Sequence, residues 1–222
     1  MGVISTGNFE LDDYLGGGYE KGIVTTIYGA SASGKTNLVL LSAVRFAETG
    51  GNVVIIDTEG GIAVERIRQL SSKDILDKFH FYQPLDWQDQ LSCTDKLNVL
   101  LTKKEIGLVV IDSIAMLYRL AMGDNVYQTN KNMAKHIGQL VRIAREYDIP
   151  VLITNQVYSR FDEDGVKIVG GDLLKYTSKT LIRLDKVERN HALLIDKHRF
   201  IDVEDSFNFS IVNEGIIALN TK

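Results

Sequence analysis

The stretch Gly29-Ala30-Ser31-Ala32-Ser33-Gly34-Lys35-Thr36 decides how the rest of the chain is read. It fits the pattern G-x-x-x-x-G-K-[ST], follows an apolar run at residues 23–28 and opens a helical pattern at 35–48. Small side chains let successive backbone N–H groups turn inward around a phosphate, and the helix that follows adds the partial positive charge of its N-terminus. On this reading the eight residues from Gly29 to Thr36 bind nucleotide phosphates. Lys35 reaches the β- and γ-phosphates, and the Thr36 hydroxyl ligates Mg²⁺. Without a strand before it and a helix after it, the same segment is a Gly/Ser turn with a solvent-facing lysine.

The flanking sequence supplies that context. Apolar, β-rich runs recur at 23–28, 53–56, 79–82, 108–111 and 151–154, with helical patterns at 35–48 and 87–104 between them. Met133, Ile137, Leu140, Val141 and Ala144 form one apolar stripe at helical spacing, which predicts a core-facing helix. Alternating strands and helices predict a mostly parallel sheet covered on both faces. After Gly170 the rhythm changes to strand-like runs at 180–184, 192–195 and 207–212, expected as antiparallel strands that finish the sheet. With no repeat or linker and only two prolines, the 222 residues read as a single α/β domain.

Composition narrows the function. With 45% hydrophobic and 24% charged residues, disorder, collagen-like repeats and coiled coil are poor explanations. No apolar run approaches the ~20 residues of a membrane helix. The start carries Glu10, Asp12 and Asp13 in place of a basic-then-apolar leader, so a cytoplasmic protein with no membrane partner is expected. Cys93 is the sole cysteine, which excludes an internal disulfide and a cysteine-based zinc cluster. The four histidines, His80, His136, His191 and His198, show no metal-ligand spacing and receive no catalytic role. A net charge of −4 argues against a general nucleic-acid coat but leaves room for a local basic patch.

Three further polar residues end apolar runs. Asp112 closes Leu108-Val109-Val110-Ile111 and is the expected second magnesium ligand, because ligands of parallel sheets bind at the carboxyl ends of the strands. Glu59 and Gln156 follow the runs at 53–56 and 151–154 and open onto the same edge if the sheet is parallel. A carboxylate there can orient an attacking water, and an amide can sense the terminal phosphate. As plain turn residues, Glu59 precedes Gly60-Gly61 and Gln156 bonds a loop.

Taken in order, Gly16-Gly17-Gly18, the loop at 29–36, Ile56-Asp57-Thr58-Glu59-Gly60, Glu65-Arg66, Ile111-Asp112-Ser113 and Ile153-Thr154-Asn155-Gln156-Val157 resemble the core of RecA-type recombinases, above all the archaeal ones. In size and ending the chain is similar to a short archaeal paralogue of that family. The resemblance implies ATP as the nucleotide, Glu59 as the water-activating glutamate and Gln156 as the link from γ-phosphate to the DNA-binding loops. It also implies that Arg66 lies against the adenine.

The departures from the family shape the functional expectation. Filament-forming members carry a helical N-terminal domain and a docking linker, whereas here the core begins within about ten residues of Met1. Where the first DNA loop has a glycine-arginine pair, this chain reads Gly123-Asp124. The second DNA loop carries Asp162-Glu163-Asp164, three acids that repel a phosphate backbone, beside Tyr158 and Phe161, which can stack on bases or simply pack locally. Basic charge is concentrated late: residues 175–199 hold Lys175, Lys179, Arg183, Lys186, Arg189, Lys197 and Arg199 against three acids. Lys175, Lys179, Arg183, Lys186 and Arg189 are candidate DNA contacts, with Lys179, Arg183, Lys186 and Arg189 able to line one face; the alternative is a solvated surface. Lys197-His198-Arg199 is similar to the K-x-R element whose cations, in RecA and KaiC-like ATPases, reach a nucleotide on the adjacent subunit. Lys197 and Arg199 are therefore candidate trans cations of a homo-oligomer. The expected function is an ATP-binding accessory protein of DNA repair and homologous recombination that binds single-stranded or branched DNA. It is expected to modulate a recombinase or junction nuclease, with weak ATPase and no strand exchange of its own. A strand-exchange recombinase with DNA-stimulated ATPase and a KaiC-like regulatory ATPase remain the alternatives.

Overall fold

The runs of Val, Ile and Leu that punctuate the chain assemble into a ten-stranded sheet. The computed structural model describes residues 2–103, 105–123, 125–158, 167–168, 171–202 and 204–219. A small hairpin comes first, β1 (Val3–Ile4) and β2 (Tyr19–Glu20), with α1 (Phe9–Tyr14) between its strands. Then follow β3 (Val24–Gly29), α2 (Lys35–Glu48), β4 (Asn52–Asp57), α3 (Val64–Leu70) and β5 (Phe79–Tyr82). The middle of the chain forms α4 (Trp87–Lys103), β6 (Ile106–Asp112), α5 (Met116–Leu120), α6 (Val126–Tyr147) and β7 (Val151–Tyr158). Next come β8 (Lys167–Ile168), α7 (Gly171–Thr177), β9 (Thr180–Val187), β10 (Asn190–Lys197), β11 (Phe207–Val212) and β12 (Gly215–Ala218).

The sheet order is β12-β11-β10-β9-β3-β7-β6-β4-β5, with β8 on β7. From β5 to β9 every pairing on that path is parallel, and from β9 to β12 every pairing is antiparallel. The antiparallel closing strands expected from the sequence are therefore present, with β9 joining them to the parallel part of the sheet. That strand runs parallel to β3, Thr25 opposite Thr180, and only its other edge is antiparallel. Side chains alternate across the central strands. Val53, Ile55, Leu108, Val110 and Leu152 face one apolar core with α1, α2 and α3, while Val54, Ile56, Val109, Ile111 and Ile153 face a second with α4, α6 and α7. A strand apolar on both faces, with β-branched residues throughout, is what a central parallel strand requires. No helix among the described residues is long and apolar enough to cross a membrane.

Two consequences position the site. Parallel strands β3, β4, β6 and β7 deliver their carboxyl ends to one edge. Their register then sets Gly29 beside Gln156 and Asp57 beside Asp112.

Candidate functional site

The loop at 29–36 is shaped by what cannot fit there. A Cβ on Gly29 would lie 2.2 Å from the Leu184 carbonyl oxygen on β9, so the loop leaves the sheet only because residue 29 has no side chain. Gly34, at φ +98°, caps α2 from the left-handed region that glycine favours. The Lys35 ammonium folds back along the loop, donating to the carbonyls of Gly29 at 3.1 Å and Ala30 at 2.7 Å and to Ser33 Oγ at 3.4 Å. Burial pushes this ammonium below its ordinary pKa, against the opposing pull of the Asp112 and Glu59 carboxylates.

Asp112 ends β6 at the floor of the site. Its Oδ2 accepts from Thr36 Oγ1 at 2.7 Å, and its Oδ1 accepts from Thr154 Oγ1. Burial raises its pKa, the two hydroxyl donors hold it down, and Glu59 and Asp57 add to the rise. A hydroxyl and a carboxylate already in contact form the hard oxygen pair that Mg²⁺ prefers. Glu59 is exposed at the rim, and its Oε1 accepts from Ser113 Oγ and from Gln156 Nε2, both at 2.9 Å. Its backbone is fixed by Asp57, whose carboxylate accepts from the N–H groups of Glu59, Gly60, Gly61 and Ile62.

These residues line a cavity of about 500 Å³ with Ser31, Ala32, Gly34, Lys35 and Thr36 on one wall and Glu59, Asp112 and Gln156 on another. Lys186, Glu188, Arg189, His191 and Ile211 close it from β9, β10 and β11. His191 had no role from its sequence. In the fold its Nδ1–H donates to the Ser33 carbonyl at 3.0 Å, and its ring stacks on Phe209 with centroids 5.3 Å apart. Burial lowers its pKa. Ser113, Thr154 and Asp57 also went unassigned. The Asp-Thr-Glu-Gly-Gly run was the available signal for Asp57, since an aspartate before glycines commonly caps a turn.

Other candidates lie elsewhere. Arg66 is held by Asn37 Oδ1 at 3.1 Å, Gln69 Oε1 at 3.0 Å and the carbonyls of Val212 and Asn213 at 3.0 and 2.8 Å, outside the cavity lining. Lys197 donates to the carbonyls of Lys175 at 2.7 Å and Ser178 at 2.9 Å, at the C-terminal end of α7, where the helix dipole favours a cation. Arg199 pairs with Glu20, a carboxylate only 6% exposed, which also meets His198 Nε2 at 3.3 Å. The expected single basic face is corrected. Strand alternation puts Arg183 on the side of its β3 partner Tyr28, beside Asp185, while Lys186 shares the side of His191 and enters the cavity with Arg189. Lys175 is exposed at α7 and Lys179 half-buried before β9. Asp124, Gly170 and residues 159–166, including Phe161, Asp162, Glu163 and Asp164, lie outside the described residues, as does the Tyr158 side chain.

Sheet order, covering helices and a phosphate-type loop at the strand ends define a Rad51/RecA-like α/β fold. The chain belongs to the Rad51 family, whose model matches residues 1–219. It is 39% identical over 216 residues to the DNA repair and recombination protein RadB of Methanococcus maripaludis strain C5, covering 95% of this chain and 98% of that one. The protein of the same name from Methanocaldococcus jannaschii is 36% identical over 212 residues, covering 93% and 98%. A solved structure described as the RadB recombinase superposes with a TM-score of 0.82 at 31% identity, over 96% of this chain and 98% of that one.

Proposed function

We propose that this protein is an ATP- and Mg²⁺-binding accessory factor of DNA repair and homologous recombination, acting in the cytoplasm. One observation carries the nucleotide part: Thr36 of the loop and Asp112 of the strand end meet at 2.7 Å beside the Lys35 ammonium. Thr36 and Asp112 would hold Mg²⁺, which when bound screens the phosphate charge. Lys35 exchanges its carbonyl partners for phosphate oxygens. Glu59 is placed to accept a hydrogen bond from a water aimed at the terminal phosphorus, and Gln156, bonded to Glu59, changes partner when that phosphate arrives.

Hydrolysis by the isolated chain is slow on this reading, because both K-x-R cations are engaged within their own chain. The names of the relatives support the repair and recombination setting. DNA and a recombinase or junction nuclease are the partners on this reading. Exposed Lys175 remains a candidate DNA contact, with Lys179 and Arg183 as secondary ones. The single-domain assignment rests on the unbroken sheet from β5 to β12. The solved relative is called a recombinase, which favours strand exchange as a second reading.

Calorimetry with Mg-ATP, and gel shifts with single-stranded and branched DNA with and without ATP, test the proposal. Binding heat lost in K35A, with DNA or partner affinity that depends on nucleotide, is expected. No heat from folded protein overturns the nucleotide reading, and nucleotide-independent DNA affinity overturns the gating. Filaments with DNA-stimulated hydrolysis select the second reading.

A further inference from the structure

The cavity has a wall that the loop, Asp112, Glu59 and Gln156 do not use. It is the turn between β9 and β10, where Glu188 adopts φ 55° and the flanking Lys186 and Arg189 line the same space as Lys35. This turn is fastened to the phosphate loop. Lys186 and His191 are opposed in the β9–β10 ladder, and His191 donates to the Ser33 carbonyl in the middle of the loop at 3.0 Å. Burial disfavours protonation of the His191 ring, and the charge of Lys186 adds to that. Among the described residues neither Lys186 nor Arg189 forms an ion pair, in contrast to Arg183 with Asp185 and Arg199 with Glu20.

The sheet order fixes which part of a ligand this wall meets. β3, which leads into the loop, has β9 on one side and β7 on the other, with β6 and β4 beyond β7. Gln156, Asp112 and Glu59 therefore approach from one flank, and the β9–β10 turn approaches from the opposite flank, beside Ser33, Gly34 and Ile211. Two exposed cations on flexible stems, converging on a loop built for phosphate, suit a polyphosphate better than a hydrophobic or neutral ligand.

We propose that the β9–β10 turn is a phosphate clamp acting in cis, in which Lys186 and Arg189 bind the inner phosphates of a nucleotide held by the same chain's loop. The proposal rests on the nucleotide reading above. It gives the chain cations of its own at the phosphates while Lys197 and Arg199 are occupied elsewhere. Because the clamp meets the phosphates shared by nucleoside diphosphate and triphosphate, it strengthens both and leaves the choice between them to the Glu59 and Gln156 flank. Glu188, the one acid of the turn, opposes it.

The test is titration of the full chain with fluorescent ATP and ADP analogues in the presence of Mg²⁺. K186A/R189A is expected to weaken both nucleotides about tenfold, with their affinity ratio unchanged. The single variants K186Q and R189Q each carry part of that loss, and E188Q tightens both nucleotides. R142A, on α6 and outside the cavity lining, stays within about twofold of the parent, since exposed charges contribute little at a distance. Thermal melting of each variant reads folding separately. Parent-like affinity of K186A/R189A overturns the clamp while leaving the nucleotide site intact if K35A still loses binding. A loss for ATP alone overturns the inner-phosphate assignment. No binding by the parent protein overturns the nucleotide reading beneath it.

Discussion

Gln156 donates its side-chain amide to the Glu59 carboxylate at 2.9 Å, joining the ends of β7 and β4 across the intervening β6. On the proposed reading, this is the contact that a terminal phosphate must rearrange. Replacing Glu59 by Gln keeps the side chain's shape and removes its charge. Hydrolysis should fall by about 10²-fold, the usual loss for a positioned acid–base group. Nucleotide affinity should stay within a few-fold of the parent, and phosphate release alongside equilibrium titration separates the two.

Gly29→Ala is expected to destabilise the fold by about 2–4 kcal/mol, as overpacking against a rigid backbone does. The Leu184 carbonyl cannot retreat, because β9 is locked to both β3 and β10. Urea unfolding checks this, and a parent-like midpoint contradicts the close approach.

Arg199→Ala leaves the buried Glu20 carboxylate beside His198, whose burial disfavours the charged imidazolium. Breaking a buried pair is costly, but Arg199 is partly exposed, so a loss of about 1–2 kcal/mol is expected. E20Q/R199A should recover part of it. Denaturant midpoints of the two single variants and the double variant form the cycle that measures the coupling.

His136 is fully buried between α4 and α6, bonded to Thr94 at 3.0 Å, and burial lowers its pKa to about 4. The unfolded chain, with a pKa near 6.5, binds that proton more readily than the folded one. Stability therefore rises with pH through this window. It is complete above about pH 6.5 and is lost as pH falls toward 4, by up to about 3 kcal/mol. H136N should flatten the profile between those limits, as read by urea midpoints across pH.

The phosphate loop, Asp112, Glu59 and Gln156 were legible because each is a local event: a polar residue ending an apolar run, or a glycine-bounded turn before a helix. Their shared edge followed from parallel pairing alone. His191, Lys186 and Arg189 were not legible as cavity residues because their placement depends on β9 lying against β3, a pairing that joins Thr25 to Thr180. Strand alternation then separated Arg183 from Lys186, which a charge count along the chain cannot do. The short helices α1, α3, α5 and α7 carried too few turns for a periodic signal. The engagement of Lys197 and Arg199 within the chain likewise depends on distant partners, the end of α7 and Glu20.

The β3–β9 pairing also sets an order of events during synthesis. The run from β9 to β12 is built of neighbouring hairpins that close over short chain separations, whereas β3 must wait for a strand more than two-thirds of the chain away. Until residues 180–187 leave the ribosome, the phosphate loop has one flank of its sheet missing. Long-range parallel closure is slow compared with hairpin formation. The nascent chain thus acquires its nucleotide site among its last acts of folding, and ligand added during translation can stabilise only the nearly finished protein.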